Sequence, residues 1–202
     1  MLLVDAEGAL WTSAGLSDVR VASVPELDRV VVALDPATTS GKGADECGIV
    51  VVGAQTQGPP ETWRAYVLAD RTVTGASPAE WARAAIAARD EFNADRLVAE
   101  VNQGGQMVGE VIRQVDPLVP YKAVHASRGK VARAEPVAAL YEQGRVHHTG
   151  PLDALEDQMV KMTARGFEGT GSPDRVDALV WALHELMIVP AANWRRPGVR
   201  SL

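Results

Sequence analysis

A chain of 202 residues with 47% hydrophobic side chains is long enough to bury a full core within one domain. Its formal net charge of −6 argues against a generally basic nucleic-acid binder, and no apolar run reaches the roughly 18 residues of a membrane helix. A single cysteine, Cys47, excludes a disulfide framework and a cysteine zinc site, and the acid-bearing start MLLVDAEGALW lacks the basic residues of a secretory signal, so a reducing cytoplasm is the expected compartment.

Residues 1–27 show no sustained periodicity, with Leu10 and Trp11 as the one strong apolar point, and read as an extended lead-in or linker. A domain over residues 28–189 follows, and residues 190–202, with Arg195, Arg196 and Arg200, read as a basic C-terminal tail. Strands are expected at 29–34, 48–54 and 62–71, and their short connections favour an antiparallel meander. Ser77-Pro78 opens a helix running to about residue 92, with serine as N-cap and proline at the first helical position. A fourth strand is expected at 96–101, a helix at 106–115 and a fifth strand at 121–125. Helices are then expected at 130–143, stopped by Gly144, at 152–164, and from Ser172-Pro173 to residue 188. Three antiparallel strands, then parallel strands reached through helical crossovers, make an α/β protein with a mixed five-stranded sheet flanked by helices, the order of a ribonuclease-H-like fold.

Carboxylates recur at the ends of these elements. Asp35 ends the first strand, Glu100 ends the fourth in LVAEVNQGG, and Asp174 and Asp177 stand in the first turns of the last helix, where a spacing of three puts both on one face. Each has an ordinary explanation alone: a turn former for Asp35, a helix-dipole partner for Asp174, a solvated position for Asp177. Together, oxygen-only clusters of this kind suit hard ions such as Mg²⁺ or Mn²⁺, and two such ions can cleave a phosphodiester. Asp45, in ADECG, reads either as a further metal ligand or as a solvated loop acid. Between residues 121 and 148 five basic residues face two acids, so Lys122, Arg128, Lys130 and Arg133 read as phosphate contacts or as a solvated helix face. His147 and His148, adjacent in an extended segment, point to opposite faces and cannot readily share one ion. Gly104 and Gly105 read as points of close backbone approach, and Trp81 and Trp181 as core.

The segments VVVALDPATTSG, ADECGIVVVG, LVAEVNQGG, GKVARAEPVAALYEQGRVHH and SPDRVDALVWAL resemble the nuclease domain of phage large terminase subunits over about residues 10–188. That resemblance implies a ribonuclease-H-like endodeoxyribonuclease that cuts concatemeric double-stranded DNA during genome packaging. It maps the family's acids onto Asp35, Glu100, Asp174 and Asp177, with Mg²⁺ or Mn²⁺ as cofactor and two ions expected once DNA is bound. It also implies the terminase ATPase domain, the small terminase subunit and the portal as partners, in the cytoplasm of a bacterial host. The isolated domain is expected to be monomeric, with no membrane association.

A packaging ATPase also needs a P-loop, and TTSGKGA does not supply one: the motif requires glycine at position 36 and Ser or Thr at 43, where the chain has Pro36 and Gly43. Three other readings compete. One is a resolvase-like, structure-selective nuclease, because Holliday-junction resolvases share the DxxDAL arrangement. Another is an actin-like or sugar-kinase-type phosphate-binding domain. The last is a catalytically silent DNA- or portal-docking module.

Overall fold

The computed structural model describes residues 5–36, 46–101 and 106–195. Asp45, Gly104, Gly105, Arg196 and Arg200 lie outside the described residues.

The sheet begins with an antiparallel meander of β1 (Arg29–Asp35), β2 (Glu46–Gln55) and β3 (Arg64–Asp70). A helix, α2 (Pro78–Glu91), then crosses to β5 (Arg96–Glu100), parallel to β1, and α3 (Gln106–Val115) crosses to β6 (Tyr121–Val124), parallel to β5. The Glu80 carboxylate accepts the Ser77 backbone N–H at 2.8 Å, closing the start of α2 as the Ser-Pro opening predicts. To these five expected strands the structure adds β7 (Val146–His148), parallel to β3 at the far edge, and the two-residue β4 (Val73–Thr74), which pairs with β2. The strand order is β6-β5-β1-β2-β3-β7.

Strand β1 is apolar without alternation because both its faces are covered. Val31 and Ala33 join a core beneath α4 (Lys130–Glu142), α5 (Asp153–Met159) and α6 (Asp174–Leu183), whereas Val32 and Leu34 join a second core beneath α2 and α3. Period-2 alternation therefore assigns Asp35 to the face of Val31 and Ala33, and Glu100 to the face of Val98, which belongs to the same α6-side core.

The helix expected at 152–164 stops early. After α5 the chain makes a hairpin of β8 (Met162–Thr163) and β9 (Gly166–Phe167). The Thr163 hydroxyl donates to the Gly166 carbonyl at 3.0 Å, and Gly166 takes a φ of 129° that a side chain would resist. The last helix is also not uniform: α6 passes through a π-helical turn, His184–Ile188, into α7 (Val189–Asn193). Among the described residues no helix is long and apolar enough to cross a membrane.

The lead-in, read as extended, carries a helix, α1 (Ser13–Asp18), capped by Thr12, whose hydroxyl oxygen accepts the Gly15 N–H at 3.1 Å. Trp11 and Leu16 are buried in the α6-side core. The Val21 N–H donates to the His148 carbonyl at 2.8 Å and the His148 N–H to the Val19 carbonyl at 3.1 Å, so this segment covers the outer edge of β7. Beneath it runs a buried chain of polar groups. The Tyr141 hydroxyl meets His148 Nε2 at 2.8 Å, His148 Nδ1 meets Glu156 Oε1 at 2.9 Å, and Arg20 Nη2 donates to Glu156 Oε2 at 2.5 Å.

One glycine sets how closely α6 approaches the sheet. Gly48 stands opposite Asp35 in the β1–β2 register, and a methyl group on it would collide with the Asp174 carbonyl. Gly48→Ala is expected to cost about 1–3 kcal/mol by forcing the helix start off the sheet, read as a lower denaturation midpoint in guanidinium; an unchanged midpoint would remove this constraint.

Burial works against the Glu156 carboxylate, but the hydrogen bonds from His148 and Arg20 outweigh it and hold its pKa below the ordinary value. A lowered folded pKa contributes stability that is complete above the unfolded value of about 4.3 and is lost as pH falls through the folded value. Glu156→Gln should therefore cost about 2 kcal/mol at neutral pH, and the gap from wild type in urea melts should narrow below about pH 4. A gap independent of pH would assign the loss to packing alone.

Candidate active site

Strands β1 and β5 run parallel, with Leu34 opposite Ala99, so their next residues, Asp35 and Glu100, emerge together at the C-terminal ends of two neighbouring strands. Helix α6 packs across β1, β2 and β5 and brings Asp174 and Asp177, both in its first turn, over those strand ends. Asp174, Asp177 and Glu100 are buried, and Asp35 is partly buried.

The electrostatics record this gathering. Burial, then the charges of Asp177, Glu100 and Asp174, push the Asp35 carboxyl well above the usual carboxylate range, with Lys130 opposing them. Asp177 is raised chiefly by burial, partly offset by Lys130 and Arg133. Burial also pushes the neighbouring Cys47 thiol upward, with Asp35 and Asp174 adding to the effect, which rules this cysteine out as a thiolate nucleophile at neutral pH.

Two cations from α4 enter the cluster. Lys130 Nζ donates to Asp177 Oδ2 and, at 3.2 Å, to the Ser172 hydroxyl. Burial disfavours its ammonium, but Asp177, Asp35 and Asp174 outweigh that and hold Lys130 above the ordinary lysine value. Arg133 bridges two acids, with Nη1 at 3.1 Å from Glu100 Oε2 and Nη2 at 3.6 Å from Asp177 Oδ1. Its guanidinium carbon lies 4.7 Å from the centroid of the Trp181 ring, and Trp181 Nε1 donates to Glu100 Oε2 at 2.6 Å. Among the described residues no three acidic, histidine or cysteine side chains are drawn close enough to form a ready-made metal site. The donor chemistry nevertheless fits a divalent ion: four carboxylates, two of them with raised pKa values, gather around two resident cations in a largely buried place.

The four basic residues read as one phosphate-contacting set are separated by the fold. Lys130 lies at the acids, and Arg128 is exposed just before α4. Arg133, at 5% exposure, faces inward to Glu100 and Asp177 rather than outward to solvent. The Lys122 ammonium pairs at 2.6 Å with Glu185, near Arg29 and Arg96 at the starts of β1 and β5, at the opposite ends of those strands from Asp35 and Glu100. His148 is fully buried, whereas His147 stacks on Tyr66 with ring centroids 5.3 Å apart.

Sequence reasoning missed three residues that place the acids. Arg175, inside DRVD, donates through Nε to Asp70 Oδ2 at 2.9 Å and through Nη1 to Glu46 Oε2, while its backbone N–H donates to Gln158 Oε1 at 3.1 Å. These contacts tie the start of α6 to β2 and β3. Trp181, read as core, also orients Glu100, and Gly48 sets the depth of Asp174. The side-chain partners of Arg175 lie on strands far away in sequence, so local pattern carries no signal for them.

Comparison with known proteins then places the chain. A terminase RNaseH-like domain family model matches residues 32–186. The large terminase nuclease of thermophilic phage G20c aligns with a TM-score of 0.56 and 18% identity, covering 78% of this chain and 82% of that one. The same nuclease solved with bound magnesium aligns with a TM-score of 0.59 and 16% identity, covering 90% and 99%. The large terminase of a second thermophilic bacteriophage aligns with a TM-score of 0.61 and 12% identity, with 91% of this chain spanning 45% of that longer protein. No curated protein matches the chain. Because the family model covers most of its length, with the ribonuclease-H-like sheet and helices in place, the chain belongs to the terminase RNaseH-like domain family.

Proposed function

We propose that this domain is a metal-dependent DNA endonuclease that hydrolyses phosphodiester bonds of concatemeric double-stranded DNA during phage genome packaging, in the cytoplasm of the bacterial host. The observation that carries the reading is the convergence of Asp35, Glu100, Asp174 and Asp177 at the ends of β1 and β5, where burial and then the charges of the other acids raise Asp35. The magnesium bound by the G20c nuclease supports a divalent cofactor, Mg²⁺ or Mn²⁺. In this chain Asp35, Glu100, Asp174 and Asp177 would hold the ions, and Asp45 is a further candidate. Divalent ions held there supply an activated water and charge stabilisation for the leaving oxygen, with two ions expected when DNA is bound.

The remaining side chains position and neutralise. Trp181 and Arg133 fix the Glu100 carboxylate, and Arg175 fixes the helix that presents Asp174 and Asp177. In this reading Lys130 and Arg128 meet backbone phosphate, which is contacted without regard to base sequence. The longer of the two phage proteins compared is a large terminase more than twice the length of the stretch aligned here. The extra length leaves room for the ATPase domain that the family resemblance implies, and the small terminase subunit and the portal are further proposed partners.

Supercoiled plasmid incubated with Mg²⁺, Mn²⁺ or EDTA tests the proposal. Nicking and linearisation are expected with metal and not with EDTA. Asp35→Asn and Glu100→Gln should each lose more than the roughly 10–100-fold that removal of an outer-shell partner costs, and Trp181→Phe should fall within that range. Equal cutting by wild type and both acid variants would assign the activity to a contaminant and remove the site.

A further inference from the structure

The two cations in the acidic cluster are held very differently. Arg133 has a side chain 6% exposed, stacked on Trp181 and bonded to Glu100, so it is pinned from two sides. Lys130 is the first residue of α4, its side chain is 44% exposed, and its ammonium is a point charge on a flexible four-carbon stem. It contacts Asp177 and Ser172, and Asp35 and Asp174 lie close enough to act on its charge. A divalent ion taking Asp177 would meet this ammonium as a competitor for the same carboxylate, and two cations at one carboxylate repel strongly where burial limits screening.

We infer that Lys130 is the resident counter-cation of the cluster, neutralising Asp177 until a divalent ion takes that carboxylate and the ammonium turns outward to the DNA backbone. The inference rests on the nuclease reading and adds a linkage to it: the same lysine keeps the acids compatible in the metal-free fold and limits how tightly metal binds before DNA arrives. Arg133 remains in place in both states, since moving it would strip the buried Glu100 of a partner. With both α4 cations inside and all four acids ionised by an arriving metal, one divalent ion balances the cluster. Release of Lys130 and arrival of phosphate change that balance together, so metal loading and DNA binding reinforce each other.

The test uses the whole chain without DNA. Free Mn²⁺ is followed by electron paramagnetic resonance against wild type, Lys130→Met and Lys130→Arg, and acetylation of the Lys130 amine in wild type is followed by mass spectrometry with and without Mg²⁺. Lys130→Met is expected to bind Mn²⁺ on the order of tenfold more tightly than wild type, an ordinary coupling between two ligands of one site. Lys130→Arg should remain close to wild type, and Mg²⁺ should raise acetylation of Lys130 several-fold. The labelling arm needs no variant, so it holds even where a substitution unfolds the protein. Mn²⁺ binding to wild type with Lys130→Met no tighter, or acetylation unchanged by Mg²⁺, overturns this inference and leaves the nuclease reading standing. Mn²⁺ binding by none of the three proteins overturns both.

Discussion

Four carboxylates gathered at the ends of β1 and β5 repel one another, and the rest of the structure is arranged to make that repulsion bearable. Three of the acids are buried, and the fourth, Asp35, has its pKa raised first by burial and then by the charges of the other three. Asp174 and Asp177 gain from standing in the first turn of α6, where the helix dipole favours negative charge. Lys130 and Arg133 complete the compensation from α4. Removing one member would leave its partner charged in a place of low polarity, which costs far more than a surface ion pair is worth.

Helix α6 is accordingly fixed at both ends. Its start is tied through Arg175 to Glu46 on β2 and Asp70 on β3, and lowered onto β2 where Gly48 has no side chain. Beyond its other end, the π-helical turn carries Glu185 into a buried position between Arg29, Arg96 and Lys122. Such turns accommodate an extra residue where a side chain must be re-aimed. The acids thus sit on an element whose position is set by charges at each end and by apolar packing between them. At the lateral edge of the sheet, the lead-in segment closes β7 and extends the core with Trp11 and Leu16.

What could be read from the sequence was whatever is written in local pattern. Apolar runs ending in Asp35 and Glu100 gave both the strands and the candidate acids, and Ser77-Pro78 gave the start of α2, whereas at the second Ser-Pro the helix begins one residue later, with Pro173 as its N-cap. The residues that position the acids left no such trace. A tryptophan on a helix reads as core whether or not its indole reaches Glu100, and an arginine on a helix reads as surface until the fold turns it inward, as with Arg133. The lead-in reads as extended because Trp11 and Leu16 are spaced for packing on the α6-side core rather than for one long amphipathic helix. Helix α5 was read as too long because the sequence continues to favour helix up to the point where Thr163 and Gly166 make a hairpin.

The account stands on the claim that Asp35, Glu100, Asp174 and Asp177 together hold divalent metal. Anomalous diffraction from crystals soaked in Mn²⁺ addresses this directly, because it locates the ion without relying on activity. The predicted result is a manganese peak among these four carboxylates, with oxygen ligands at roughly 2.1 Å, close to the distances of octahedral magnesium sites. A well-ordered manganese ion elsewhere on the molecule, with no peak between Asp35 and α6, would contradict it.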